Sequence, residues 1–219
     1  MALNPARRGT RSLLTSPQRM HAAVMSSYPP VLTGEAPRVL WRVDRRASHD
    51  VQLYVVSIRQ PDLTHLVEQA GWPTSEAWQT TSYGPFLDRL QEGQLWRFRI
   101  TANPVQVLPS GAHGVRGKVT PLTKIASQED WLRTQGLTWG FEVVDPPGDE
   151  GEAARGVLVT GRGQDAFSRQ DPDERARRVT ITRARFDGVL RVRDPNVLRD
   201  RLVGGMGRAK AYGCGLMTL

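Results

Sequence analysis

Four histidines and one cysteine set the limits of the side-chain chemistry open to this chain. His21, His49, His65 and His113 never fall into an H-x-x-x-H spacing, and the lone Cys214 cannot build a thiolate metal site. His49-Asp50 has the look of a metal-binding HD pair, but it sits in a turn between two strand patterns. His65 and His113 read as surface residues. A nucleophilic serine would need a G-x-S-x-G elbow, which the chain lacks. Cys214 lies in a glycine loop with too short a tail behind it to hold a partner base, and it reads as a small buried residue. No metal and no other cofactor is expected.

His21 is different. It falls one turn into a helix that Ser16-Pro17 opens, since serine caps a helix and proline suits its first position. It lies beside the apolar face of Met20, Ala23 and Val24, with Arg7, Arg8, Arg11 and Arg19 near in sequence. An imidazole with a pKa of about 6.5 gives or takes a proton at neutral pH. Against RNA that suffices without a metal: the ribose 2′-oxygen attacks the adjacent phosphate, the 5′-oxygen leaves with a proton, and cations offset the charge on the phosphorane. From position alone His21 reads first as an ordinary helix-surface histidine, with the catalytic role as the lesser reading, and both stand at this point.

The other feature with chemical potential is the end of the chain, GGMGRAKAYGCGLMTL, where five glycines surround Arg208 and Lys210. Such a run can turn its N–H groups toward an anion. It is not a P-loop, because Lys210 is followed by Ala211 rather than Ser or Thr. A dinucleotide fingerprint needs a strand before it and a helix after it, and here a helix precedes. The loop reads instead as a surface for a polyanion's backbone, with Gly205, Gly207, Arg208 and Lys210 as contacts.

Charge points the same way. The net charge is +8, carried by 27 Arg and only 3 Lys, and the planar guanidinium suits phosphates and base edges. Residues 1–46 hold eight arginines against Glu35 and Asp44, while residues 142–152 hold five acids and no base. Segregation of this kind describes a basic face. No apolar run reaches the ~20 residues of a membrane span and no signal-peptide core follows Met1. With a single cysteine, the expected compartment is the cytoplasm.

The elements that must position these groups follow from hydrophobic period. A short strand is expected in 3–8, a helix in 17–27, a hairpin of 38–43 with 51–58, a helix after Asp62, and a poorly patterned strand in 77–87. The order then repeats: strand 95–100, a long loop 103–124, a helix opened by Ser127-x-x-Asp130, strands at 137–144, 156–160 and 178–186, an extension of the sheet at 189–192 after Asp187-Gly188, and a helix capped by Asp194-Pro195. Two β-α-β-β-α-β units, residues 1–92 and 93–219, give an α+β protein of two tandem ferredoxin-like (RRM-like) domains. No R-G-F-x-F motif lies on a central strand, so recognition would rest on charge and shape rather than base stacking.

Four segments together resemble the CasE family, the CRISPR RNA-processing endoribonucleases of type I-E Cascade complexes. They are LNPARRGTRSLLTSPQRMH (3–21), LWRFRITANP (95–104), the helix with Trp131-Leu132, and the terminal GGMGRAKAYGCGLMTL. The likeness runs in order over almost the whole chain, and its specific parts are the ANP strand end and the G-x-G-x-x-K-x-x-G-x-G-L terminus. It implies metal-independent cleavage of CRISPR repeat RNA at the 3′ base of its stem-loop, leaving 5′-hydroxyl and 2′,3′-cyclic phosphate ends. It also implies an enzyme that stays on its product hairpin as a Cascade subunit.

By this resemblance His21 falls on the family's catalytic histidine, and residues 161–178 form the hairpin that grips the RNA stem. Arg162, Arg169, Arg175, Arg177 and Arg178 are its candidate contacts, with Arg19 a further one beside His21. Two departures stand out. Where relatives carry a tyrosine three residues before the histidine, this chain has Gln18, so either Gln18 positions the 2′-OH or another group such as Tyr28 substitutes. Relatives also extend further ahead of the LNPA segment, which leaves the first strand short. A non-catalytic hairpin-binding subunit is the rival reading. A duplex-DNA binder fits the charge but lacks a recognition-helix motif.

Overall fold

The computed structural model describes residues 1–30, 38–73, 78–109, 117–145, 155–171 and 174–219, with side chains of 168–178 left undescribed. In chain order the elements are β1 (Ala2–Leu3), α1 (Arg8–Leu14), α2 (Pro17–Met25), β2 (Val39–Arg45), β3 (Val51–Ser57), α3 (Thr64–Ala70) and α4 (Gly84–Leu87). There follow β4 (Leu95–Ala102), β5 (Val105–Leu108), β6 (Lys118–Pro121), α5 (Ile125–Thr138), β7 (Phe141–Val143), β8 (Val157–Asp171) and β9 (Glu174–Val192). The chain closes with α6 (Pro195–Gly204), a single 3₁₀ turn (Lys210–Tyr212) and β10 (Met217–Thr218).

These divide into two compact units, Met1–Arg89 with Leu202–Leu216, and Leu90–Arg201 with Met217–Leu219. In the first, an antiparallel sheet of order β1-β3-β2 packs with α1, α2 and α3 around Leu3, Leu13, Met20, Val24, Trp41, Leu53 and Leu66. Each such side chain removed from water stabilises the unit by about 1.5–3 kcal/mol. In the second, the antiparallel order is β10-β4-β9-β7, with β8 also on β9. Taken in chain order as strands one to four of a β-α-β-β-α-β unit, these stand 4-1-3-2, with α5 and α6 as the two helices. The first sheet shows the 1-3-2 part of that order. The α+β class with two ferredoxin-like units therefore holds.

Several local expectations change. The strand expected in 3–8 shrinks to Ala2–Leu3, which pairs Ala2 with Gln52 and Leu3 with Val51, and Arg8 already opens helix α1. In 77–87, where a weak strand was expected, the described residues hold the short helix α4, because Gly84-Pro85 removes a strand donor and starts a turn. The loop 103–124 contains the hairpin β5–β6. Ser127 is not a cap, since α5 begins at Ile125 with Lys124 preceding it. The caps at Ser16 and Asp194 are made: Ser16 Oγ accepts from Arg19 N at 3.3 Å, and Asp194 Oδ1 accepts from Asn196 and Val197 N.

The glycine-rich terminus is the largest change. Expected as part of the second domain, residues 204–216 belong to the first unit, where they close over the outer face of β2. Strand β2 alternates, as a strand must, but both its faces are buried. Val39 and Trp41 enter the core, whereas Leu40 meets Gly205, and Arg42 donates from Nη1 to the Leu216 carbonyl at 2.8 Å.

Candidate active site

Helix α2 carries His21 out of the first core. Pro17, Met20 and Val24 are buried, which leaves His21 half-buried at the edge of that stripe. On β2, Trp41 points to the same place, and its indole Nε1–H donates to His21 Nδ1 at 3.4 Å. Burial pushes the imidazole below its usual range, because removal from water penalises the charged form. Burial therefore favours the neutral imidazole.

Gln18, one turn earlier, is exposed. Tyr28, the expected substitute for the missing tyrosine, lies beyond α2, which ends at Met25, and its hydroxyl donates to Ser57 Oγ on β3 at 2.8 Å. Burial raises its phenol above the ordinary range, against a smaller opposing pull from that hydrogen bond and from Arg59. It is a hydroxyl tied to the sheet.

The basic cluster around His21 in sequence is largely turned elsewhere. Arg7 donates to the Val67 and Glu68 carbonyls near the end of α3, where a cation meets the helix dipole favourably. Arg11 donates to the Ala6 carbonyl at 2.7 Å. Arg19 is exposed, with Nη1 to Ser12 Oγ at 3.0 Å. Arg8 is exposed. His65, read as a surface residue, is half-buried and bonds the Ala23 carbonyl through Nε2 at 3.0 Å, docking α3 on α2. His113 lies outside the described residues.

In the terminal loop Gly207 and Arg208 are exposed, while Gly205 is buried against Leu40. Lys210 is half-buried, and its Nζ donates to the Gly204 carbonyl at 2.9 Å, which caps the end of α6. Gly213 sits at φ +79, and a Cβ there would stand 2.7 Å from Trp41 Cζ3. The loop's glycines thus serve close packing on β2 at these positions, and Gly207-Arg208 is the part open to a polyanion.

The second unit supplies the arginine-bearing ribbon. Strands β8 and β9 pair from Val157↔Gly188 out to Asp171↔Glu174, with a register shift at Val159/Gly161 and another at Arg169/Asp171. Arg162 is exposed and donates to the Thr123 carbonyl. Arg169 faces Arg177 across the ribbon, and Arg178 faces Ser168; the side chains of Arg169, Arg175, Arg177 and Arg178 lie outside the described ones. Nearer the sheet, Arg183 pairs with Asp165, Arg99 with Asp187 and Arg191 with Glu142, so these guanidiniums are already neutralised.

Sequence reasoning missed Trp41 as a partner of His21. In the sequence it is one inward residue of an alternating strand, and nothing in its spacing separates it from Val39 or Val43. Only the packing of α2 on β2 brings the two side chains together.

An α+β chain of two ferredoxin-like units, with a half-buried helix histidine in one and a long arginine-bearing ribbon in the other, defines the class. A family model described as CRISPR associated protein matches residues 1–219. The chain belongs to this family of CRISPR-associated proteins and is of the CasE type. It is 30% identical over 224 positions to the CRISPR-associated endoribonuclease Cse3 of Thermus thermophilus, covering 100% of this chain and 97% of that one. It is 29% identical over 182 positions to the CRISPR system Cascade subunit CasE of Escherichia coli K12, covering 79% and 82%. A solved structure of the CRISPR endoribonuclease Cse3 bound to 19-nucleotide RNA matches with a TM-score of 0.74 at 28% identity, over 99% of this chain and 96% of that one.

Proposed function

We propose that this chain is a cytoplasmic endoribonuclease that cleaves CRISPR repeat RNA at the 3′ base of its stem-loop, without a metal, and remains on the hairpin as a Cascade subunit. The observation that carries this reading is His21: a half-buried imidazole on a capped helix, meeting a buried indole, in a chain similar to Cse3 over its whole length. The 2′-oxygen attacks the neighbouring phosphorus, the P–O5′ bond breaks, and one proton moves from the 2′-oxygen to the 5′-oxygen. The products are a 2′,3′-cyclic phosphate and a 5′-hydroxyl, and no water is consumed. Arg208 at the open part of the terminal loop and Arg162 on the ribbon supply backbone contacts.

The test is cleavage of end-labelled repeat RNA in EDTA. Wild-type protein should cut once per repeat, and neither the His21→Ala protein nor RNA with a 2′-deoxy at the scissile residue should yield product. Cleavage that needs a divalent cation would sink the mechanism. Gln18, at the position where relatives carry tyrosine, favours a second reading, a hairpin-binding subunit that does not cut. That reading is distinguished by tight, salt-dependent binding of the hairpin with no product in the same assay.

A further inference from the structure

His21 has one described hydrogen-bond partner, and it is a donor. An indole N–H cannot accept, so the nitrogen that meets Trp41 Nε1 must carry a lone pair. In a neutral imidazole that places the ring proton on Nε2. We propose that Trp41 is a positioning residue: by donating to Nδ1 it fixes both the ring plane and the tautomer of His21, so that Nε2–H is the group presented to the RNA. This rests on His21 being the residue that acts on the scissile phosphate.

The indole is itself buried and held. It is 3% exposed, its backbone pairs with Val55 on β3, and it packs in the core that Met20 and Val24 of α2 share. The terminal loop closes over its six-membered edge. A Cβ at Gly213 would stand 2.7 Å from Cζ3 and 3.0 Å from Cη2, so only glycine allows that approach. The glycine-rich end of the chain thereby acts on His21 at second hand, through the ring it clamps. An imidazolium would carry N–H at both nitrogens and turn one against the indole N–H. Trp41 therefore holds His21 neutral, with Nε2 as a donor toward a phosphate oxygen or the departing 5′-oxygen.

The elements packed on α2 bring few competing charges, and from α3 His65 is bonded to the Ala23 carbonyl. From α1, Arg8 is exposed and Arg11 is bonded to the Ala6 carbonyl. On α2 itself Arg19 is turned to Ser12. On β2, Arg42 and Asp44 pair at 2.8 Å and neutralise each other. In the terminal loop Lys210 is on the Gly204 carbonyl and Arg208 is exposed. Burial acts on the His21 equilibrium in the same direction, downward.

The experiment reads the His21 ring nitrogens by ¹⁵N NMR in RNA-free, full-length protein, together with the Trp41→Phe variant, which keeps a ring and loses the N–H. Wild type at pH 7.5 should show Nε2 protonated and Nδ1 bare. In Trp41→Phe the Nδ1–H form should appear and the titration midpoint should rise by up to about one pH unit, the worth of one net hydrogen bond. The pH–rate profile for repeat cleavage should move with it, at unchanged hairpin affinity. A folded variant whose tautomer and midpoint match wild type overturns the proposal. So does a wild-type ring that carries its proton on Nδ1, a result that needs no variant to fold. If His21→Ala still cleaves, the catalytic reading fails separately, while the state of Nδ1 has been measured all the same.

Discussion

Breaking the Arg42–Asp44 pair should uncouple the terminal loop from the first sheet. The two side chains are 2% and 3% exposed and bond in a fork, Nε to Oδ1 at 2.8 Å and Nη2 to Oδ2 at 2.9 Å, while Nη1 holds the Leu216 carbonyl at 2.8 Å. At that separation two unit charges attract by about 6 kcal/mol in an effective dielectric of about 20. Much of this offsets the cost of taking both ions out of water, so the pair's net worth is small, but an orphaned partner is expensive. Arg42→Met or Asp44→Leu alone should therefore destabilise the first unit by about 3–5 kcal/mol. The double variant removes both charges of the pair and, among the described contacts, leaves the Leu216 carbonyl without its donor, which costs about 1–3 kcal/mol. The two effects thus fail to add by at least ~3 kcal/mol. Hydrogen exchange read on peptides from β2 and β3, against peptides from β9, gives the first unit's opening free energy by itself. In urea the single variants should lower that unit's midpoint by about 2 M for a slope near 2 kcal/mol per M. Additivity within ~0.5 kcal/mol would refute the reasoning, since it would mean that the two charges do not see each other.

Three further outcomes are expected. Gly213→Ala combines a left-handed φ of +79 with a Cβ 2.7 Å from the Trp41 ring; strain and overpacking should together cost about 2–5 kcal/mol, and normal thermal stability of the variant would contradict the contact. His21 has its folded pKa lowered by burial, so the unfolded chain takes up its proton first as pH falls. Its contribution is full above about pH 6.5 and is lost as pH drops through the lowered folded value; His21→Gln should flatten denaturation midpoints between pH 5 and 7, and an unchanged slope would oppose this. Arg162→Ala, if that guanidinium meets a phosphate, should weaken hairpin binding across sequences and reduce the slope of log affinity against log salt by about 1, measured by filter binding. An unchanged slope would remove Arg162 from the interface.

The two-fold repetition of strands and helices was legible because strand 95–100 alternates cleanly, Ser16-Pro17 and Asp194-Pro195 cap their helices with local chemistry, and period alone marks a buried face. Helix α1 was not, because Arg8–Leu14 carries a glycine and two arginines and has only Thr10 and Leu13 buried, too short a stripe to declare a period. The capping box at Ser127 misled for the opposite reason: the local pattern is present, but α5 starts a turn earlier, at Ile125.

By itself, then, the sequence determined which residues could do chemistry: one histidine on a capped helix, arginines in preference to lysines, a glycine-rich end. These are properties of residue type and short spacing, and they survive any arrangement of the chain. Tertiary structure decided which of them meet. It turned Arg7 and Arg11 to backbone carbonyls, set Lys210 as a helix cap, moved residues 204–216 onto β2 in the first unit, and placed the indole of Trp41 on His21 Nδ1. Contacts across such sequence separations depend on how whole faces pack, and a glycine that exists to let a tryptophan ring lie close looks, in the sequence, the same as one that waits for a phosphate.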